Sequence, residues 1–203
     1  MKIGFLINDL TQGGAQRAAV SLANYFQQQG YQAEIITFEQ TDSFYQIDES
    51  VSVVSVGFKE IEQSFSLKRL NSTIKRMVSL RKFIKSRNLD ILIGMSFSMT
   101  YYSVFSTKFT STKSVGTERS NPFVYKATRL NTILRRIFYR LADGYVLQTK
   151  KSAEFFDGGK LKNGIVIPNA IYNTKIYTLP RWKTVTRLFF QQAGSVKKNA
   201  MIY

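Results

Sequence analysis

The chain has 203 residues and a mass of 23.3 kDa, is 44% hydrophobic and holds only three prolines. That suits one domain, or one lobe of a two-lobed enzyme, and excludes a disordered or low-complexity polymer. It contains neither Cys nor His, which removes disulfides, thiol nucleophiles, thiolate zinc sites, Ser-His triads and imidazole acid–base chemistry. The net charge of +16 is uneven: residues 1–65 carry 3 basic and 8 acidic groups, residues 66–203 carry 26 and 5. Such a field favours an extended anionic partner, whether nucleic acid, an acidic lipid surface or a phosphorylated substrate.

Ile3 to Ile7 is a short apolar run ended by Asn8-Asp9, as expected of a strand buried on both faces. It is too short for the apolar core of a signal peptide, and nowhere does the sequence approach the roughly 20 apolar residues that span a bilayer. A cytosolic chain is expected, touching a membrane only from its surface. From Ala15 the spacing turns helical, with Ala15, Ala18, Ala19, Leu22, Ala23 and Phe26 on one stripe and Gly30 as the stop. Ala33 to Phe38 and Val51 to Val56 read as the second and third strands. Strand, helix and strand in close succession make a βαβ unit, hence a parallel sheet.

A long basic helix is expected from about Ser66 to Arg87, with Leu67, Leu70, Ile74, Met77, Val78 and Ile84 inward. Asp90 to Gly94 is a strand, Met99 to Phe109 a helix, and Lys113 to Thr117 a strand. Asn121-Pro122 reads as cap and first residue of the next helix. That helix carries Phe123, Ala127, Leu130, Leu134, Ile137, Phe138 and Leu141 on one stripe. Gly144 to Gln148 and Gly164 to Ile167 complete seven strands. The expected fold class is α/β: a doubly wound, mostly parallel sheet with helices on both faces. After Pro180 the rhythm breaks, as at the opening of a further unit.

Three features carry chemistry. Thr11-Gln12-Gly13-Gly14-Ala15-Gln16-Arg17 joins the first strand to the first helix. Adjacent glycines there admit a close approach of backbone to ligand, and a helix start favours an anion, so the loop suits a phosphate. A tight turn with glycines for packing is the plain alternative. The loop is neither a G-x-G-x-x-G fingerprint nor a P-loop. The second feature is Val115-Gly116-Thr117-Glu118-Arg119-Ser120-Asn121-Pro122, expected at the same sheet edge. Glu118 can take a proton or bind a hydroxyl and Arg119 can grip a phosphate; a Glu118–Arg119 pair with an Asn cap explains it equally well. Third come the cations of two amphipathic helices: Lys68, Arg69, Lys75, Arg76, Lys82, Lys85 and Arg87 on one, Lys126, Arg129, Arg135, Arg136 and Arg140 on the other. At about 1 kcal/mol per cation near an anionic leaflet, half of them would hold the protein on a membrane. They would attract nucleic acid too, but no RNP-type, helix-turn-helix or zinc-module signature accompanies them.

Four segments together resemble the N-terminal lobe of a glycosyltransferase family 4 enzyme. They are Met1-Lys2-Ile3 to Asn8 with Gly13-Gly14-Ala15-Gln16-Arg17 and Leu22-Ala23-Asn24-Tyr25; Glu34-Ile35-Ile36-Thr37; Gly116 to Pro122; and Leu141 to Thr149 leading into Val166-Ile167-Pro168-Asn169-Ala170. The resemblance implies one Rossmann-like lobe of the two-lobed GT-B fold, spanning 1–171, with 172–203 as linker and the start of a donor lobe that does not follow. It implies transfer of a hexosyl group from a nucleotide-sugar, with retention of configuration, to a lipid-linked saccharide acceptor in bacterial surface polysaccharide synthesis. Glu118 becomes the candidate catalytic residue, in a loop where many relatives carry a His. Gly13, Gly14, Gln16, Arg17, Arg119, Asn121 and Asn169 become candidate substrate-binding residues. Lys68, Arg69, Lys75, Arg76, Arg129, Arg135, Arg136 and Arg140 become contacts to an anionic membrane surface at the inner face of the plasma membrane.

No metal site, cofactor or nucleic-acid partner is expected on this reading. A transition state that releases a nucleotide diphosphate needs fixed cations on both sides of a cleft, so a truncated chain with one side is expected to be inactive alone. The alternative is a basic α/β module that binds nucleic acid.

Overall fold

The computed structural model describes residues 1–57, 67–121, 123, 129–157 and 163–169. In chain order the elements are β1 (Lys2–Ile7), α1 (Gly14–Gln28), β2 (Gln32–Thr37), β3 (Ser52–Ser55), α2 (Leu67–Arg87) and β4 (Ile91–Gly94). There follow α3 (Phe97–Thr107), β5 (Lys113–Glu118), α4 (Arg129–Leu141), β6 (Gly144–Leu147), α5 (Lys150–Asp157) and β7 (Gly164–Val166). The seven strands form one sheet in the order β3-β2-β1-β4-β5-β6-β7, every pair parallel. The expected boundary near residue 171, and everything after it, lies outside the described residues.

Alternate strand residues feed opposite faces of the sheet. Ile3, Phe5, Ile35, Ile93 and Val115 meet Ala19, Val20, Ala23 and Phe26 of α1 on one face. Leu6, Ile36 and Leu92 meet Leu80 and Ile84 of α2 and Met99 of α3 on the other. The register continues that second face through Gly94, Gly116 and Tyr145, where Tyr139 of α4 and Phe156 of α5 pack. Helices thus cover both faces, as the pattern of apolar residues predicts.

Local signals set the boundaries. Gly30, at φ +82°, ends α1. Its N–H donates to the Gln27 carbonyl and that of Tyr31 to the Phe26 carbonyl, the left-handed stop that glycine adopts without a Cβ penalty. The third helix begins at Phe97, two residues earlier than expected, because the Ser96 hydroxyl accepts the Met99 N–H at 3.3 Å and caps it. It lies tight on the sheet: a Cβ on Gly94 would sit 2.6 Å from the Thr100 backbone nitrogen.

One connection differs from a strict alternation of strands and helices. Residues 38–51, between β2 and β3, contain no helix. They cross as an irregular segment whose Tyr45 and Ile47 pack against the α1 side of the core. The short helix α5 was not foreseen, since eight residues give too little periodicity to read.

The outward stripes also need correction. Ile74 and Val78 of α2 and Ile137 and Leu141 of α4, expected inside, are each about half exposed, as is Phe123. The inner face of α4 belongs instead to Arg135, Tyr139 and, just past its end, Ala142. No helix among the described residues is long and apolar enough to cross a membrane.

Candidate active-site rim

Because all strands are parallel, the loops after β1, β4, β5, β6 and β7 emerge at one edge of the sheet. The chain reverses its direction of growth between β1 and β4, and in open α/β sheets ligands bind outside the carboxyl ends of the strands at such a point. The glycine loop follows β1, and the Glu118–Arg119 loop follows β5, two strands away.

The loop after β1 is built from neutral and singly charged hydrogen bonds. Asp9 Oδ1 accepts the Thr11 N–H at 3.0 Å, the Thr11 hydroxyl at 2.5 Å and the Gln16 amide at 3.1 Å. Burial raises the Asp9 carboxyl, but these bonds and one from Asn8 outweigh it and hold the group below its ordinary range. Gly13 is gripped twice by one side chain. Its N–H donates to the Tyr45 hydroxyl at 3.1 Å, and that hydroxyl donates to the Gly13 carbonyl at 2.9 Å. No side chain caps α1, whose first intrahelical bond runs from the Arg17 N–H to the Gly13 carbonyl. A Cβ on Gly13 would press on the Gln16 side chain, whereas one on Gly14 would point into open space. Gly14 therefore exposes backbone toward the rim, with the free dipole end of α1 beside it.

The loop after β5 stands on a buried ion pair. Glu118 is 2% exposed and Arg135 0%. Glu118 Oε2 accepts from Arg135 Nη2 at 2.6 Å; Oε1 accepts the Ser120 N–H at 3.1 Å and its hydroxyl at 2.5 Å. Arg135 also reaches the Ser120 hydroxyl at 3.1 Å and lies 4.7 Å from the centre of the Phe97 ring. Glu118 is thus paired with Arg135 of α4, not with Arg119. Arg119 turns the other way and donates to Asn169 Oδ1 at 2.8 Å, which also accepts from Gln148 at 2.7 Å. Burial, and then the charge of Arg17, depress the Arg119 guanidinium below its usual range.

The parallel topology sends the segments that carry Gly13, Gly14, Arg17, Arg119 and Asn169 out of the same edge, with Gln16 bracing its own loop through Asp9. Asn121 stands apart from this cluster in role: its side chain accepts the Phe123 N–H at 3.0 Å and shapes the turn. Guanidinium groups and a helix N-terminus without a side-chain cap are the kinds of group that can bind a diphosphate or a comparable anion.

Two of the cations expected at a membrane surface are inside. Arg135 is consumed by Glu118, because a carboxylate buried at the end of a strand requires a countercharge. Arg76 is 6% exposed and lies 5.3 Å from the Phe38 ring centre. Lys75, Arg136 and Arg140 are exposed. For Lys68, Arg69 and Arg129 only the backbone is described. Three residues that sequence reasoning missed hold the rim: Tyr45, Gln148 and Arg135. None of the three left a local signal, because each is drawn in by a group distant in sequence.

Comparison with known proteins agrees with this architecture. The profile of Glycosyltransferase Family 4 matches residues 12–173. The chain is 29% identical over 143 residues to the GalNAc-alpha-(1->4)-GalNAc-alpha-(1->3)-diNAcBac-PP-undecaprenol alpha-1,4-N-acetyl-D-galactosaminyltransferase of Campylobacter jejuni, covering 70% of this chain and 39% of that one. Among solved structures, a glycosyltransferase from Rickettsia africae superposes with a TM-score of 0.60 at 14% identity, covering 96% of this chain and 50% of its own. Anabaena HepE in complex with UDP-glucose gives 0.56 at 14% identity, covering 93% and 50%. The chain therefore spans half or less of the length of these relatives, and its sheet corresponds to one lobe of the GT-B fold. The family match over residues 12–173 carries the conclusion that the chain belongs to glycosyltransferase family 4.

Proposed function

We propose that this polypeptide is the acceptor-binding lobe of a retaining enzyme that transfers a hexosyl group from a nucleotide-sugar to a lipid-linked saccharide. The setting is bacterial surface polysaccharide synthesis, at the cytoplasmic face of the plasma membrane. The observation that carries the reading is that the Gly13-Gly14 loop with Arg17, and the Arg119–Asn169 pair, leave the same edge of the sheet. The Campylobacter relative, whose acceptor is a diphosphate-linked undecaprenol glycan, supports the acceptor class. The UDP-glucose complex of HepE supports the donor class. Membership of the family favours this reading over a nucleic-acid module.

In this reading Arg17 and Arg119 bind diphosphate oxygens, and the N–H groups at the start of α1 face the donor's phosphates across the cleft. Glu118, the candidate catalytic residue from the sequence, is buried against Arg135 and acts instead as a positioning residue that holds the loop presenting Arg119. Cations for the departing nucleotide come from a second lobe, so the 203-residue chain alone has little or no transferase activity.

The test mixes the purified chain with UDP-sugars and an undecaprenyl-diphosphate saccharide, measuring acceptor binding and turnover separately. Acceptor binding with negligible turnover is expected. Arg119→Ala is expected to weaken binding about tenfold or more, the equivalent of one charge-assisted hydrogen bond. Efficient turnover by this chain alone would refute the single-lobe reading, and absence of acceptor binding would refute the acceptor assignment.

A further inference from the structure

Residues 38–51 leave the carboxyl end of β2, the strand beside β1, and are laced to the loop after β1. The Phe38 and Glu39 N–H groups both donate to the Asn8 carbonyl at 3.0 Å, and the Leu10 N–H donates to the Thr41 hydroxyl at 3.0 Å. The Phe44 N–H donates to the Leu10 carbonyl at 3.0 Å, and the Tyr45 hydroxyl grips Gly13. These bonds extend the rim by one strand, on the side of β1 away from Arg119.

Phe44 stands on this extension, 62% exposed. Its ring meets the Tyr45 ring edge to face, with 5.2 Å between centres. The backbone bond to Leu10 and the ring contact to Tyr45 hold the aromatic side chain in place, so a partner meets it already ordered. A single exposed apolar side chain is ordinary on a protein surface. This one shares an edge with the glycine loop and is joined to it through Tyr45.

Charge restricts what can lie against the ring. Between Arg17 and Lys59 the chain holds no Lys or Arg. The segment itself carries Glu39 and Asp42, and the Asn8 amide donates to Glu39 at 3.0 Å and to Asp9 at 3.1 Å. A diphosphate or an anionic leaflet is repelled from such ground. An uncharged group with one apolar face and several hydroxyls is not. A pyranose ring has that make-up: its C–H groups can lie on an aromatic ring while its hydroxyls turn to water and nearby polar groups.

We propose that Phe44 is the platform on which a saccharide unit of the acceptor stacks, and so a specificity-determining residue of the transfer. The inference rests on the acceptor-binding reading and adds a direction to it. The acceptor lies along the rim with its diphosphate toward the cations Arg17 and Arg119 and its sugars toward β2.

The experiment is calorimetric titration of the whole chain with two soluble probes, farnesyl diphosphate bearing an N-acetylhexosamine disaccharide and farnesyl diphosphate alone. Phe44→Leu keeps an apolar side chain but removes the flat ring, and Phe44→Tyr restores the ring. The control is Phe109→Ser, a 92% exposed residue between α3 and β5, at the opposite end of the sheet. Circular dichroism reports the folding of all three. Wild type is expected to bind the saccharide-bearing probe about fivefold or more tightly than the bare one. Phe44→Leu should erase that preference and leave the bare probe's affinity unchanged, while Phe44→Tyr and Phe109→Ser match wild type. Equal affinity of wild type for the two probes would overturn the proposal. So would a preference that survives Phe44→Leu, which would assign the ring to another contact, such as a second lobe. A loss in Phe44→Tyr as large as in Phe44→Leu would trace the effect to the loop rather than the ring and overturn it too. Binding of neither probe by wild type would overturn the acceptor reading itself, a result distinct from the failure of Phe44 alone.

Discussion

The two loops that make the rim reach the same edge by different physics. The loop after β1 is fastened by dispersed hydrogen bonds from Asp9, Gln16 and Tyr45, each modest and partly solvated. The loop after β5 hangs on one buried ion pair, Glu118 with Arg135. Losing one member of a dispersed set costs one bond. Losing one member of a buried pair leaves an uncompensated charge in a medium that cannot solvate it. The first loop should therefore fail by degrees and the second all at once.

The largest expected effect is at Arg135. Arg135→Leu leaves Glu118 buried with only Ser120 as partner and is expected to cost about 3–5 kcal/mol in urea unfolding. Combining it with Glu118→Gln should recover a large part of that loss, because the stranded charge goes with it. If the single and double variants were equally destabilised, the contrast between the loops would collapse.

Tyr45→Phe probes the other side. It removes the hydroxyl that both accepts from and donates to Gly13, and is expected to cost about 1–2 kcal/mol. The larger consequence should be local, seen as faster hydrogen exchange at Gly13 and the first turn of α1 with the β5 loop unchanged.

Acid titration offers a third comparison, with smaller steps. Burial raises the Asp143 carboxyl, but the Ser114 N–H, Lys113 and the Ser114 hydroxyl more than offset it, so the group titrates below its ordinary 3.8. Asp9 is lowered in the same sense. A carboxyl depressed in the folded state stabilises fully above its unfolded value and loses that contribution as pH falls through the folded one. Stability should thus decline from about pH 5 downward, and Asp143→Asn should flatten part of that slope. A stability profile unchanged by Asp143→Asn would show that its bonds do not report on folding.

The smallest effect belongs to Arg136, the sequence neighbour of Arg135. Arg136 donates to the Phe155 carbonyl at 3.1 Å from an exposed position, so Arg136→Gln is expected to shift stability by about 0.5 kcal/mol or less. The pair Arg135 and Arg136 condenses what was and was not legible. Periodicity treats them alike, as two charges on a basic helix. Nothing within α4 says which one a carboxylate on a neighbouring strand will draw inward. The same limit misplaced Ile137 and Leu141, whose apolar character suggested an inner stripe.

Elsewhere the reading held because the signals were local. Adjacent glycines after a buried strand and a glycine at the end of α1 act over a few residues, whereas α4 is described only from Arg129, so a helix start at Asn121-Pro122 lies outside the described residues. The hand of the βαβ crossover converts those local elements into a parallel sheet.

What the amino-acid order determined by itself, then, was the succession of strands, the parallel sheet and the edge where Gly13 and Glu118 emerge. Tertiary structure alone decided the partners: Glu118 with Arg135, Arg119 with Asn169, Gly13 with Tyr45. The reason is one of range. Backbone geometry and apolar periodicity are written within a few turns of chain, whereas a buried charge is satisfied by whichever group the folded core brings within about 3 Å.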